Sequence, residues 1–282
     1  MNRTLSASAI AIALALTTSA ASAADLIRKG PPVAIAPTFT WTGFYGGVNI
    51  GYGFGAESGV LQSVRIDTGV VTPNSEVFRL NGPTPSGVVG GGQFGYNWQA
   101  GSFVFGLETD FQGSDMSATS TGSGVWVPGF NGPVAALSRQ SVDWFGTLRA
   151  RVGTTAFDPK LLLYVTGGFA YGRVSNGQDF YDSDGDFGRL DVSSVLTGWT
   201  AGAGAEWAFA PGWSAKFEYL YTDLGTAPRL SVPELTPGIP LNQQPPVIKT
   251  FNTNAARFHT VRVGVNYHFD LFGGPAPVVA KY

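Results

Sequence analysis

Within the segment 256–269, residues 261–269 alternate cleanly. Val261, Val263, Val265, Tyr267 and Phe269 fall on one side, and Arg262, Gly264, Asn266 and His268 fall on the other. A period of two is the spacing of a β-strand with one apolar and one polar face. The same rule marks eight candidate strands, at approximately 43–54, 87–99, 102–113, 139–153, 160–174, 194–209, 212–224 and 256–269. Each is long enough for the roughly 9–11 tilted residues that take a strand across a bilayer. In the third, Phe103, Phe105, Leu107 and Phe111 oppose Glu108, Asp110 and Gln112; in the seventh, Trp213, Phe217, Tyr219 and Tyr221 oppose Lys216 and Glu218. The sixth sets Val195, Trp199, Ala201, Ala203, Ala205, Trp207 and Phe209 against Gly202, Gly204 and Glu206.

Alternation of this kind also suits a soluble β-sandwich. The connections separate the two. Long segments at roughly 55–86, 114–138, 175–193 and 225–255 alternate with short ones at Gln99-Ala100-Gly101, Thr154–Pro159 and Ala210-Pro211. Tight turns at one end and long loops at the other are the pattern of antiparallel strands through a membrane. The short connections carry turn chemistry, Asp158-Pro159 and Pro211-Gly212. An unpaired backbone group in hydrocarbon costs several kcal/mol, so a spanning sheet cannot keep an edge. The chain is therefore expected to be all-β: a closed antiparallel eight-stranded transmembrane β-barrel with short periplasmic turns and four long extracellular loops. Past the N-terminus no run approaches the 18 or so apolar residues of a membrane helix.

The N-terminus sets the compartment. Arg3, the apolar run Ala7–Leu16 and the small residues Ala21-Ser22-Ala23 form a signal peptide over 1–23, too short to serve as an anchor. The expected organisation continues with a Pro-rich periplasmic leader at 24–42, the barrel at 43–269 and a periplasmic tail at 270–282. Charged residues make up 13% of the chain, about half the share in soluble domains, whereas aromatics also reach 13%. That balance suits a wall facing lipid. Without its signal the chain carries 16 Lys+Arg against 19 Asp+Glu, one arginine fewer than the 17 basic residues of the whole, which makes nucleic acid a poor partner. With no cysteine, disulfides and thiolate chemistry are excluded.

An eight-stranded barrel has an interior that side chains just fill. The inward set reads Glu108, Asp110, Asp143, Arg149, Arg151, Glu206, Lys216, Glu218 and Arg262, five acids against four bases. Buried ions persist only if paired, so these residues predict an ion-paired plug rather than a wide pore. Inward glycines (Gly47, Gly51, Gly91, Gly95, Gly202 and Gly204) leave room for the long side chains. Trp98, Phe103, Trp207, Phe209 and Trp213 flank the short turns and are expected to form a girdle at the periplasmic interface.

Other patterns carry less. Gly90–Gly95 fits G-x-G-x-x-G, but inside a strand and not at a strand-to-helix turn, so packing explains it better than a nucleotide. Asp182-Ser183-Asp184-Gly185-Asp186 begins like a calcium loop and then fails, with Phe187 where glycine and Ser193 where glutamate are required. His259 and His268, the only histidines, fall near opposite rims and cannot share a metal. No serine–histidine–acid set stands out, so no catalytic residue, metal ligand or cofactor is assigned. His259 or Tyr181 is the residue through which a loop would hold haem, if any does.

Phe39-Thr40-Trp41-Thr42-Gly43-Phe44-Tyr45-Gly46-Gly47, the closing His259–Phe269, and the flanking Ala24-Asp25-Leu26 and Pro277–Tyr282 together resemble the alphaproteobacterial outer-membrane surface-antigen family. These are small barrels of the OmpA/OmpX-like class, often called the porin family, and the resemblance runs over the whole mature chain. It implies an integral outer-membrane protein with a structural and antigenic, surface-contact role. Some relatives are called porins and some bind haem, so a narrow channel and a haem receptor stay open as alternatives. The implied partners are outer-membrane lipid and lipopolysaccharide, the barrel-assembly machinery, and a host-surface ligand met through the loops. Tyr267 and Phe269, the aromatic end of the last strand, are the expected assembly signal, captured by strand pairing.

Overall fold

The computed structural model describes residues 39–269, apart from 57–60, 68–75, 126–132, 183–184, 186, 228–229, 234–237, 244–247 and 252–254. The expected signal peptide, most of the expected leader and the expected C-terminal tail thus lie outside the described residues. Eight strands close into an antiparallel barrel: β1 (Gly43–Gly55), β4 (Ser86–Ala100), β5 (Phe103–Val125), β6 (Pro133–Asp158), β7 (Leu161–Asp182), β8 (Phe187–Ala210), β9 (Trp213–Thr226) and β12 (Ala255–Phe269). Closure is made by the first and last of them, with Phe44 opposite Phe269 and Gly55 opposite Phe258.

Local chemistry fixes the tight turns. Gly101 (φ +62°) and Gly212 (φ +74°) occupy the left-handed region, where a side chain is disfavoured. Pro211 before Gly212 is the type II pattern. At the third turn the Lys160 amide donates to the Asp158 carboxylate at 2.7 Å. The short segment expected at 154–159 is narrower than its sequence suggests, because an irregular stretch of β6 pairs on to Asp158 opposite Leu161.

Side-chain parity follows the period-two pattern. On β12, Val263, Val265 and Tyr267 are exposed at 52%, 39% and 46%, whereas Arg262 and Asn266 are buried. The exposed faces of all eight strands form one apolar belt. The four segments expected as loops all contain strand. Segments 114–138 and 175–193 are mostly strand, since β5, β6, β7 and β8 run for 22 to 26 residues. That is about twice what a bilayer crossing requires.

Segments 55–86 and 225–255 also contain strands: β2 (Leu61–Asp67), β3 (Glu76–Asn81), β10 (Leu230–Pro233) and β11 (Ile248–Phe251). They form a second sheet in the order β10-β11-β2-β3. This repeats the barrel order β9-β12-β1-β4 directly below, each upper strand being continuous in the chain with its lower counterpart. Its edge strands β3 and β10 lie alongside β5 and β8. The second sheet thus carries the β9-β12-β1-β4 half of the wall upward, beside the prolonged β5–β8.

Candidate functional site

Three layers fill the barrel. At the turn end, Phe39–Thr42 bend into the mouth ahead of β1. Trp41 is fully buried against Val104, Leu162, Tyr164 and Ala208. Its indole N–H donates to the Pro159 carbonyl at 3.0 Å and its amide to Gln99 Oε1 at 3.0 Å. The Gln99 amide in turn donates to Thr42 Oγ1 at 3.0 Å. At the opposite end a second apolar layer packs Val89, Met116, Val142, Phe145, Val174, Leu224 and Phe258.

Between the plugs lies an ionic layer. Glu108, Asp110, Arg149, Arg151, Glu206, Lys216, Glu218 and Arg262 converge there, and no side chain among them is more than 2% exposed. Arg149 bridges three carboxylates: Glu108, Asp110 at 2.9 Å and Glu218 at 3.0 Å. Arg262 donates to Glu218 at 2.7 Å and to Asp110 at 2.7 Å. The Lys216 ammonium spans both oxygens of Glu108 at 3.0 Å. Arg151 reaches Glu206 at 3.1 Å and Asn97 at 2.8 Å, and its guanidinium lies 4.4 Å and 5.2 Å from the ring centres of Tyr45 and Tyr164. Those two phenols donate to Glu108 at 2.8 Å and to Glu218 at 2.9 Å. All eight strands thus contribute to one network. Gly95 and Gly204 make the phenols' positions available, because a Cβ at either would run into the ring of Tyr45 or Tyr164.

Asp143 is a correction. It lies outside the barrel, because a register shift between Val142 and Trp144 reverses the parity of β6. Its carboxylate accepts from Ser141 at 3.0 Å and from Ser175 at 2.8 Å. Four acids and four bases remain inside, and the charge balances. At the lower rim of the layer, Glu206 also accepts from Ser214 at 2.5 Å and Asn266 at 2.7 Å, with His268 Nε2 at 3.2 Å.

Aromatic rings mark both edges of the outer belt. Trp98, Phe103, Trp207, Phe209 and Trp213 all point outward beside the turns, at 42% to 58% exposure. Trp213 meets Tyr267 at 5.0 Å, and Phe44 stacks on Phe269 at 6.4 Å, so the end of β12 belongs to the same ring. A second girdle, which the sequence reading missed, circles the other edge. Phe111, Trp144 and Tyr171 follow one another at 5.5 and 6.2 Å, and Trp199, Tyr221 and His259 at 5.3 Å each. The signal was present as a second aromatic eight to ten residues from the first on β1 (Phe44, Phe54), β5 (Phe103, Phe111), β8 (Phe209, Trp199) and β9 (Trp213, Tyr221). From Phe44 to Phe54 on β1, a rise of about 3.4 Å per residue tilted by about 40° gives roughly 26 Å, the height of an outer-membrane apolar band.

The remaining candidates are placed differently. His259 stands in the upper girdle, stacked on Phe54 at 5.2 Å, with Nδ1 2.6 Å from the Tyr219 hydroxyl. His268 faces inward, so the two histidines are indeed apart. Tyr181 is exposed at the far end of β7, opposite Phe187. Of the acidic run 182–186, only the backbone of Asp182 and residue Gly185 are described. Gly90–Gly95 sits within β4, as a packing glycine run does. Among the described residues, no three His, Cys, Asp or Glu side chains are grouped to hold a metal ion.

Comparison with known proteins agrees with this architecture. Residues 10–269 match the outer membrane protein beta-barrel domain. The chain is 38% identical to the 31 kDa outer-membrane immunogenic protein of Brucella melitensis, over 89% of its own length and 94% of that protein. It is 29% identical to a 25 kDa outer-membrane immunogenic protein of Brucella abortus, covering 88% and 91%. A 22 kDa outer membrane protein of Rhizobium leguminosarum is 34% identical over 47% of this chain and 52% of its own.

Proposed function

Because this chain belongs to the outer membrane protein beta-barrel domain family and is integral to the outer membrane, we propose that it works there as a closed structural pillar that presents a surface-contact tier to the outside. The observation that carries this reading is the lumen. An ionic layer of zero net charge, capped above and below by apolar side chains, leaves its eight ions engaged with one another. Ions taken out of water at a cost of several kcal/mol each are stable only in such mutual contact. A conducting path would have to break it. The reading assigns no catalytic step, since the carboxylates and guanidiniums that chemistry would need are spent on each other.

The outer tier supports the contact role. Loops and prolonged strands above a rigid barrel are free to vary while the wall holds their ends. The antigenic character named for the Brucella relatives fits such a display.

Planar-bilayer recording of the refolded protein tests the pillar. The expected record is flat, beside a deletion strain that is sensitive to detergent. Discrete conductance steps that change when Arg149 or Glu108 is neutralised would instead establish a narrow channel.

A further inference from the structure

The outer face of β6, β7 and β8 changes character one row above the upper girdle. Arg173 stands opposite Trp144 and two residues beyond Tyr171. Ser141, Ser175 and Ser193 share the next row, joined by a 2.8 Å hydrogen bond between the last two. Then come Arg139 and Asp191 on either side of Gly177, and above them Asp179 beside Arg189. A side chain at 177 would collide with Asp191 and Arg139, so the glycine lets that pair lie across the strand. Arg139 is committed, since it holds Asp179 through both Nη atoms at 2.8 and 3.0 Å.

Arg173 and Arg189 are not. Arg173 touches Asp143 only through Nε at 3.7 Å, and Arg189 uses Nε for Asp191 at 3.1 Å and Asp179 at 3.7 Å. Their side chains are 50% and 66% exposed. Each keeps a guanidinium fork, the geometry that pairs two N–H groups with a phosphate or carboxylate.

The heights of the two forks distinguish their ligand. Counting along β7, Arg173 is two residues beyond Tyr171, and Asp179, the partner in register of Arg189, is eight. At about 3.4 Å per residue and a tilt of about 40°, they stand roughly 5 and 21 Å above the girdle. A glycerophospholipid headgroup layer is only about 5–8 Å deep on each side of the hydrocarbon. Arg173 is at its level, and Arg189 is well beyond it. A glycolipid whose anionic groups continue from the acyl region up an oligosaccharide reaches both.

We propose that the outer face of β6–β8 is a docking surface for the lipopolysaccharide of the outer leaflet, with Arg173 taking an anionic group next to the acyl chains and Arg189 one on the core sugars. Tyr171 lies beneath Arg173 and Trp144 alongside it, as the ring platform at the apolar boundary. The serine row between the forks offers hydroxyls to the sugars.

Native mass spectrometry of the folded protein, titrated in micelles with core-bearing lipopolysaccharide, with lipid A lacking core sugars and with phosphatidylglycerol, tests this. A basic side chain near an anionic lipid surface contributes about fivefold in affinity. Arg173→Gln should therefore weaken retention of both glycolipids about fivefold. Arg189→Gln should weaken only the core-bearing form by that factor, and the double variant should lose roughly 25-fold on it. Lysine at both positions should restore only part of the loss, since it returns the charge without the fork. Heat-modifiable migration on gels reports that each variant is folded. Unchanged retention in the double variant would overturn the site. Phosphatidylglycerol held as tightly as core-bearing lipopolysaccharide, or an Arg189→Gln effect equal for all three lipids, would overturn the assignment to the glycolipid.

Discussion

Replacing Arg149 by Met tests the ionic layer most directly. The side chain is fully buried and contacts Glu108, Asp110 and Glu218, while Nε donates to Thr147 at 2.9 Å. Methionine keeps much of the volume and removes the charge, leaving four acids facing three bases. Removing one member of a buried ion pair costs about 3–5 kcal/mol, because the other is stranded without water. Here each carboxylate keeps a partner: Glu108 has Lys216 at 3.0 Å, Asp110 has Arg262 at 2.7 Å, and Glu218 has Tyr164 at 2.9 Å as well as Arg262. The low end applies, about 3 kcal/mol. With urea slopes of about 1–3 kcal/mol/M, the unfolding midpoint should fall by about 1–3 M. Adding Glu218→Gln restores neutrality at three acids and three bases, so the double variant should be more stable than the sum of the single losses by about 2 kcal/mol. The assay is equilibrium urea unfolding in vesicles, followed by tryptophan emission and checked for coincidence on refolding. A loss under about 1 kcal/mol for Arg149→Met, or additivity of the two changes within about 0.5 kcal/mol, would refute the reasoning.

The same assay separates the two aspartates of the inward-reading set: Asp143→Asn should change stability by less than about 0.5 kcal/mol and Asp110→Asn by about 3 kcal/mol, and equal effects would contradict the parity reversal in β6. Gly95→Ala drives a methyl into the Tyr45 phenol, so a cost of about 1–3 kcal/mol is expected, and Trp41→Ala should cost about 3–5 kcal/mol by emptying the lower plug. On the outer tier, hydrogen bonds from Arg189 and Arg139 hold the Asp191 carboxyl below its ordinary range. A carboxylate lowered on folding stabilises above its unfolded value, about pH 3.9, and that contribution drains away as pH falls through the lower native value. An NMR titration of Asp191 should move upward toward pH 3.9 in Arg189→Gln, and an unmoved midpoint would count against the contact.

The barrel was legible because lipid imposes one rule on every crossing: an apolar residue outward at each second position. That rule located all eight barrel strands and put Glu108, Asp110, Arg149 and Arg262 on the opposite face from Phe111, Leu148 and Val263. It stops at the upper girdle. Above it the outward residues of β6, β7 and β8 include Arg139, Ser141, Ser175, Asp179, Arg189 and Ser193, while the inward ones include Ser138, Gln140, Asn176 and Gln178. Both faces are polar there, so no alternation remains and serine- and glycine-rich strands look like loops. The inward four are nonetheless buried and paired, Gln140 with Asn176 at 3.1 Å and Gln178 with Ser138 at 2.7 Å. Strand pairing and those amide contacts, invisible to hydropathy, keep the upper wall regular. The second sheet was hidden for a further reason. Its strands are four to seven residues long and pair across long stretches of sequence, as β11 does with β2.

One extra residue in β6 links the sealed lumen to the outer collar. Below Val142 the inward positions of β6 are odd-numbered: Phe145, Thr147, Arg149 and Arg151. Had that phase continued, Asp143 would face inward beyond Phe145, an unpaired carboxylate in the upper apolar plug. The shift between Val142 and Trp144 makes the inward positions even-numbered from there up. A bulge that re-aims side chains in this way is a local change with long reach along the strand. Val142 takes the inner place and joins Phe145 and Val174 in the upper plug. Asp143 moves outside to meet Ser141, Ser175 and Arg173, and Arg139 comes to face outward beside Asp191. An upper apolar plug free of a stranded charge and a hydrophilic outer face above the girdle are therefore two results of the same irregularity. A hydropathy pattern read with a fixed period cannot anticipate it, because the residues on either side of the shift are each in phase with their own half of the strand.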